Sequence, residues 1–300
     1  MTVLPFIDAH VHVWDLRHLR YPWLTPPFDD AGPNGSVVAI ARDFGWADYR
    51  AALQRWGVIG AVHVEAGAHA EDALAETMWL ERLDESLPNA IVAHAALDEP
   101  DLDDKLAVQA AHRRVRGIRH IVNWHADPQR SYTARDLTRD PRWQAGFAAL
   151  AAHGLTFDLQ CYPSQMPGLA ALLAAHPEVG VAINHLGMPV LSDPDGVAAW
   201  RTGMAALAVL PQMVVKISGL GFIRRDWTAE DVAPFVREAI DLFGPDRCMV
   251  GSDAPTDLLF APIDRYMETL HLLTDDLAAA ERRDLFAGTA RRFYRLEISL

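Results

Sequence analysis

At 300 residues, 50% hydrophobic and 22% charged, the chain has ordinary globular composition and enough apolar material for one large core. A net charge of −13 speaks against nucleic acid or an anionic membrane as partner, and no apolar run approaches the ~18 residues of a spanning helix. The stretch Met1–Pro5 lacks the basic and apolar regions of a signal peptide, and Cys161 and Cys248 form no spaced framework, so a cytoplasmic protein without disulfides is expected.

Short apolar runs recur along the chain, each closing on small or polar residues. They predict strands over Phe6–Trp14, Val58–Ala66, Ala90–Leu97, Val115–Val122, Leu155–Tyr162, Val179–Leu186, Met213–Leu220 and Arg247–Ala254. Helical periodicity fills the intervals, over Ala47–Trp56, Ala70–Leu87, Arg142–His153, Ser164–Ala175, Gly196–Leu210, Ala229–Phe243 and Ile263–Thr274, with a charged helical stretch at Asp101–His112. Strands that alternate with helices make parallel βαβ units, and this number of them predicts a (β/α)8 TIM barrel occupying residues 1–300 as a single domain. A doubly wound sheet would show a Gly-rich first turn, and none follows Trp14. The first connection, Asp15 to Asp43, runs to roughly thirty residues and carries Tyr21-Pro22-Trp23 and Pro26-Pro27-Phe28, which predicts a lid over the barrel mouth.

Polar residues at the C-terminal ends of barrel strands face the active-site side. In the first strand Asp8, His10 and His12 alternate and are expected on one face. Later strand ends add His63 and Glu65, Arg119 and His120, Asp158, Gln160 and Tyr162, His185, Lys216 with Ser218, and Asp253. Of the 27 basic residues only Lys105 and Lys216 are lysines, and Lys216 lies in an apolar strand where it needs a carboxylate partner or a task. An ion-pair network of His63 and Glu65 with Lys216 is one such arrangement. His94 reads as a core histidine, while His125, His153 and His176 read as caps or surface groups.

His10, His12, His185 and Asp253 form the candidate catalytic set. Asp253, in Gly251-Ser252-Asp253-Ala254-Pro255, suits a general base that takes a proton from water. The three histidines could hold one Zn²⁺ together with Asp253, leaving a position open for water, or could polarise a carbonyl directly. Spacing leaves both arrangements open. Arg119 suits a bidentate grip on a carboxylate, which an anionic substrate would need in so acidic a chain; its rival role is a structural pair with Asp158 or Glu65.

The chain resembles the amidohydrolase superfamily, in the branch called amidohydrolase 2. The resemblance is carried by Ile7-Asp8-Ala9-His10-Val11-His12 with Trp14-Asp15, Tyr21-Pro22-Trp23-Leu24, Gly117-Ile118-Arg119, Asn184-His185-Leu186-Gly187-Met188-Pro189, Lys216-Ile217-Ser218-Gly219-Leu220, Gly251-Ser252-Asp253-Ala254-Pro255 and the closing Thr289–Leu296. Tyr-Pro-Trp-Leu and His-Leu-Gly are similar to the lactonase-like group, which includes sugar-acid and pyrone-dicarboxylate lactonases. The resemblance implies a barrel hydrolase that opens a lactone, with His10, His12, His185 and Asp253 at the active-site positions and Arg119 on the substrate. Tyr162 and Trp124 are further candidates for orienting it. The modified lysine that bridges two metals in binuclear relatives has no counterpart on the fourth strand, which implies at most one divalent metal, Zn²⁺, and the lactonase-like members imply activity without an obligatory one. The expected partner is a small anionic or polyhydroxylated substrate. The alternatives are a mononuclear metal-dependent decarboxylase of a small carboxylic acid and a non-catalytic binding barrel.

Overall fold

The structure is a computed structural model that describes residues 4–83 and 86–300. Residues 1–3 and 84–85 lie outside it, and with them the start of the N-terminal segment and part of the helix expected over 70–87. Eight strands, β1 (Phe6–Val11), β2 (Val58–Val64), β3 (Ala90–His94), β4 (Val115–Arg119), β5 (Thr156–Leu159), β6 (Val181–Ile183), β7 (Met213–Ile217) and β8 (Cys248–Val250), form one parallel sheet in chain order. The sheet closes on itself where Val11 bridges Ala254. There the Asp253 N–H donates to His10 O at 2.8 Å and the His12 N–H to Ala254 O at 2.8 Å. This is the (β/α)8 barrel that the alternating pattern predicts.

Between the strands run α1 (Trp46–Ala52), α2 (Ala73–Arg82), α3 (Leu102–Ala110), α4 (Pro141–Ala149), α5 (Met166–Ala174) and α6 (Gly196–Ala208). A single turn, α7 (Leu220–Ile223), precedes α8 (Ala229–Phe243), and α9 (Ile263–Leu273) follows the last strand. Local chemistry sets their ends. At α8, the Thr228 N–H donates to Asp231 at 2.8 Å while the Asp231 N–H donates to the Thr228 hydroxyl at 3.3 Å, a reciprocal cap. Val232, Phe235, Val236, Ala239, Ile240 and Phe243 then bury one stripe of that helix at three- and four-residue spacing.

The two faces of the strands do different work. Phe6, Ile118, Phe157, Ile183 and Val215 join the large core beneath the helices, whereas Ile7, Ala9, Val62, Val64, Val92, Ala182, Val214 and Met249 fill the barrel itself. That inner cluster is completed by Ala287, Ala290, Tyr294 and Leu296, so the helices α10 (Ala279–Arg283) and α11 (Thr289–Phe293), with the wide turn between them and the residues just beyond, close the barrel floor.

Two expectations need correction. The strands stop sooner than their apolar runs, β1 at Val11 rather than Trp14, because the polar residues beyond leave the ladder to enter the mouth. Asp8 does not share a face with His10 and His12. The pairing of β1 with β2 slips between Asp8 and Val11, which breaks strict alternation, and Asp8 instead accepts from the Tyr49 hydroxyl of α1 at 2.9 Å and from the Ser252 N–H at 2.8 Å.

The long first loop is ordered by three anchors. Trp14 Nε1 donates to Arg42 O at 2.7 Å, Trp23 Nε1 to Ala66 O at 2.9 Å, and the Tyr21 hydroxyl to the buried Glu76 of α2 at 3.0 Å. Burial, reinforced by Glu65, pushes Glu76 up to about 8. Among the described residues no helix is long and apolar enough to cross a membrane.

Candidate active site

The residues beyond each strand end converge on the barrel mouth. Asp253 follows β8 and His185 follows β6, and both hold left-handed backbone, with φ of 52° and 53°. Such angles are uncommon for side chains other than glycine and store strain that surrounding contacts must hold. Those contacts are present. The Tyr266 hydroxyl of α9 donates to Gly251 O at 2.7 Å, and the Asp257 N–H donates to Asp253 O at 3.0 Å. Two glycines give the imidazoles room, since a Cβ at Gly219 would lie 2.6 Å from His185 Nδ1 and one at Gly251 would lie 2.7 Å from His10 Cβ.

Three histidines surround one carboxylate. His12 Nε2 is 3.3 Å and His10 Nε2 3.5 Å from Asp253 Oδ1, and the rings of His10 and His185 sit 4.6 Å apart. The protons on these rings follow from their partners. His12 Nδ1 lies 2.8 Å from Val64 O, an acceptor only, so Nδ1 carries the hydrogen and Nε2 turns a lone pair toward Asp253. His10 Nδ1 receives a hydrogen bond from Lys216 Nζ at 3.4 Å, which leaves its proton on Nε2. His185 Nδ1 is 3.0 Å from the Ser218 hydroxyl, whose oxygen also accepts the His185 backbone N–H at 3.2 Å, so the hydroxyl fixes the ring's orientation and leaves Nε2 turned to the mouth.

Burial sets the charges. It depresses all three imidazoles, His12 to about 3, with Arg119 and Lys216 adding to the effect, so the rings are neutral near neutral pH. Burial also raises Asp253 well above the usual carboxylate range, against the pull of Arg119. The result is a carboxylate with a strong hold on a proton.

Arg119 is a structural partner as well as a cavity wall. Its Nε donates to Glu65 Oε1 at 2.6 Å, Nη2 to Glu65 O at 2.6 Å and Nη1 to Gln160 at 3.1 Å, leaving two of the five N–H donors of a guanidinium without a partner in this set. Lys216 pairs with Asp158, not with Glu65 and His63. Tyr294 donates to both oxygens of that aspartate at 3.1 and 3.0 Å, while His63 Nδ1 accepts the Val13 N–H at 3.3 Å.

A cavity of about 220 Å³ opens above the cluster, walled by His12, Arg119, Gln160, His185 and Asp253 together with Trp23, Asn34, Gly67, Ile121, Tyr132, Phe222 and Thr256. Trp23 and Asn34 come from the long first loop, which therefore covers the mouth. Tyr132, Asn34 and Phe222 carried no sequence signal, because the first two lie in loops and Phe222 in the single turn α7, too short to show a periodicity. Tyr162 and Trp124 do not line this cavity. The chain has turned out of the barrel by that point: the Tyr162 hydroxyl donates to Arg130 O at 2.7 Å in an outer cleft, and the Trp124 N–H donates to Gln165 at 3.2 Å.

The donor set fits one divalent cation. His10, His185 and Asp253 are buried and offer ligand atoms within 4.8 Å of one another, and His10 Nε2 and Asp253 Oδ2 are buried without a hydrogen-bond partner among the described residues. His12 stands outside that trio.

Known proteins resemble this chain along nearly its whole length. The uncharacterized protein y4mH of Sinorhizobium fredii is 36% identical over 99% of this chain and 100% of its own. The L-fucono-1,5-lactonase of Burkholderia multivorans is 32% identical over 97% of this chain and 96% of that protein. A crystal structure of an amidohydrolase from Burkholderia multivorans with bound zinc superposes with a TM-score of 0.80 at 30% identity, covering 97% of this chain and 99% of that one. Residues 7–296 match the amidohydrolase family, and the chain belongs to it.

Proposed function

We propose that this protein hydrolyses a lactone of a small sugar acid or carboxylic acid. The observation that carries the reading is a buried, proton-avid Asp253 ringed by three neutral imidazoles, with His10 Nε2 and Asp253 Oδ2 unpartnered among the described residues, at the base of a small cavity. Its likeness to a protein named L-fucono-1,5-lactonase supports the same reaction class.

The residues divide the work as follows. The lactone carbonyl enters between His185 and Arg119, whose N–H groups donate to the oxygen as it gains charge. Asp253 takes a proton from water as the water oxygen bonds to the carbonyl carbon. The tetrahedral intermediate collapses by breaking the ring C–O bond, and the departing alkoxide receives the proton from Asp253, giving the open hydroxy acid. His12, with its lone pair on Nε2, and His10, with N–H on Nε2, hold the carboxylate and the water in register. A divalent cation, when bound, would be held by Asp253 and by His10 and His185 at nitrogens that would first give up their protons, and it would polarise the carbonyl in place of the His185 N–H and acidify water.

The test is acid release near neutral pH from a panel of aldono-1,4- and 1,5-lactones and unsaturated dicarboxylate lactones, with and without chelator. Release is expected, and its survival of the chelator assigns oxyanion stabilisation to the side chains alone. Folded protein that releases no acid from any member overturns the assignment.

A further inference from the structure

Beside the inner cavity lies a larger chamber of about 540 Å³, and Tyr132 and Phe222 line both. Its wall carries three arginines, Arg130, Arg224 and Arg225, and among the described residues no aspartate or glutamate.

The three arginines are not equivalent. Arg130 is held by Asp127 at 3.3 Å and Asp193 at 3.7 Å, and Arg224 by Asp226 and Asp231, each at 3.2 Å. Arg225 has no carboxylate partner among the described residues. Its one hydrogen bond in this set runs from Nη2 to Pro33 O of the first loop at 3.2 Å, and its guanidinium lies over the Phe260 ring at 5.5 Å. The guanidinium also packs against Gly35 of the first loop, where a Cβ would lie 2.5 Å from Nη1, so it is held by that loop and by Phe260 while most of its N–H donors have no acceptor among the described residues, on the wall of a chamber that adjoins the inner cavity.

We propose that this chamber is a binding subsite for a second anionic group of the substrate, with Arg225 as its cation. Resting on the lactone reading, this narrows the substrate to lactones that bear a carboxylate or phosphate on the part of the molecule distal to the ring carbonyl. The reacting ring occupies the inner cavity and the anion reaches outward past Tyr132 and Phe222. A guanidinium backed by an aromatic ring presents paired N–H groups in the plane that a carboxylate or phosphate matches. The alternative is that Arg225 only ties down the first loop through Pro33.

The experiment compares kcat/KM for D-glucono-1,5-lactone with that for its 6-phosphate, and with D-glucaro-1,4-lactone as the carboxylate counterpart, in wild type, Arg225→Gln and Ser192→Asp. Ser192 is an exposed residue of the chamber wall; the second variant adds a negative charge there without touching the contact to Pro33. The anionic-to-neutral ratio should exceed unity in wild type and fall about tenfold in both variants, the scale of one charge-assisted hydrogen bond. The better of the two anionic lactones identifies the anion. A ratio unmoved in both variants overturns the subsite and leaves Arg225 as a tie for the loop. If no lactone is turned over, the lactone reading fails separately, and calorimetric binding of 6-phospho-D-gluconate against D-gluconate decides the subsite. Tighter binding of the phosphate, lost in both variants, supports it; equal binding overturns it.

Discussion

The barrel buries ionisable groups at both ends and treats them in opposite ways. At the floor, Lys216 meets Asp158, and Tyr294 closes over both carboxylate oxygens, so every charge has its partner. At the mouth, His10 Nε2 and Asp253 Oδ2 lack hydrogen-bond partners among the described residues, and Asp253 and His185 sit on left-handed backbone. Both ends are buried, yet only at the floor does the chain itself supply the partners. A buried polar group without a partner is costly, so one that is retained marks a place where something else is meant to bind. The floor holds the fold together, and the mouth is kept ready for a ligand.

The largest effect should come from the mouth. Asp253→Asn should lower kcat by about 10²–10⁴ while leaving the thermal midpoint unchanged or raised, since it removes an uncompensated buried acid. Lactone turnover and thermal denaturation on the same sample check this; near-normal turnover would dismiss Asp253 as the base. The floor should answer the other way. Lys216→Met strands Asp158 in an apolar interior and should cost about 3–5 kcal/mol in denaturant unfolding. A loss below 1 kcal/mol, on the order of a surface ion pair, would show that the floor does not depend on the pair.

A pH-dependent effect sharpens the comparison at the lid anchor. The folded protein holds the Glu76 proton up to about pH 8, whereas the unfolded chain releases it near the ordinary 4.5. Its stabilising contribution is therefore whole below 4.5 and is lost as pH rises toward 8. Glu76→Gln should gain stability relative to wild type between about pH 5 and about pH 9, read as the difference in thermal midpoints. A constant difference across that range would show that Glu76 ionises normally.

The eight strands and the helices between them were legible because short apolar runs and 3.6-residue periodicity are local signals. The candidate cluster was legible in part for the same reason: His10, His12, His185 and Asp253 stand at or just beyond strand ends, and the structure brings them together. What local pattern does not carry is pairing across the chain. Lys216 clearly needed a carboxylate, but nothing near it in sequence distinguishes Asp158 from Glu65. Asp8 was placed on the wrong face because a slip in register leaves no mark in composition. Tyr162 and Trp124 were placed by their nearness to strand ends, and the chain had already turned away. Asn34 and Tyr132 reach the cavity from irregular loops and Phe222 from the single turn α7, and only the folded chain defines their paths.

The Tyr294 hydroxyl, carried by the segment just beyond α11, secures a pair made by residues 158 and 216. Three stretches far apart in the sequence thus meet at one buried point, from β5, from β7 and from beyond the last strand. Such a contact spans long loops and forms only after the strands between have been brought into register. The eight strands and their helices alone do not supply this closure; the segment that follows them is part of the barrel.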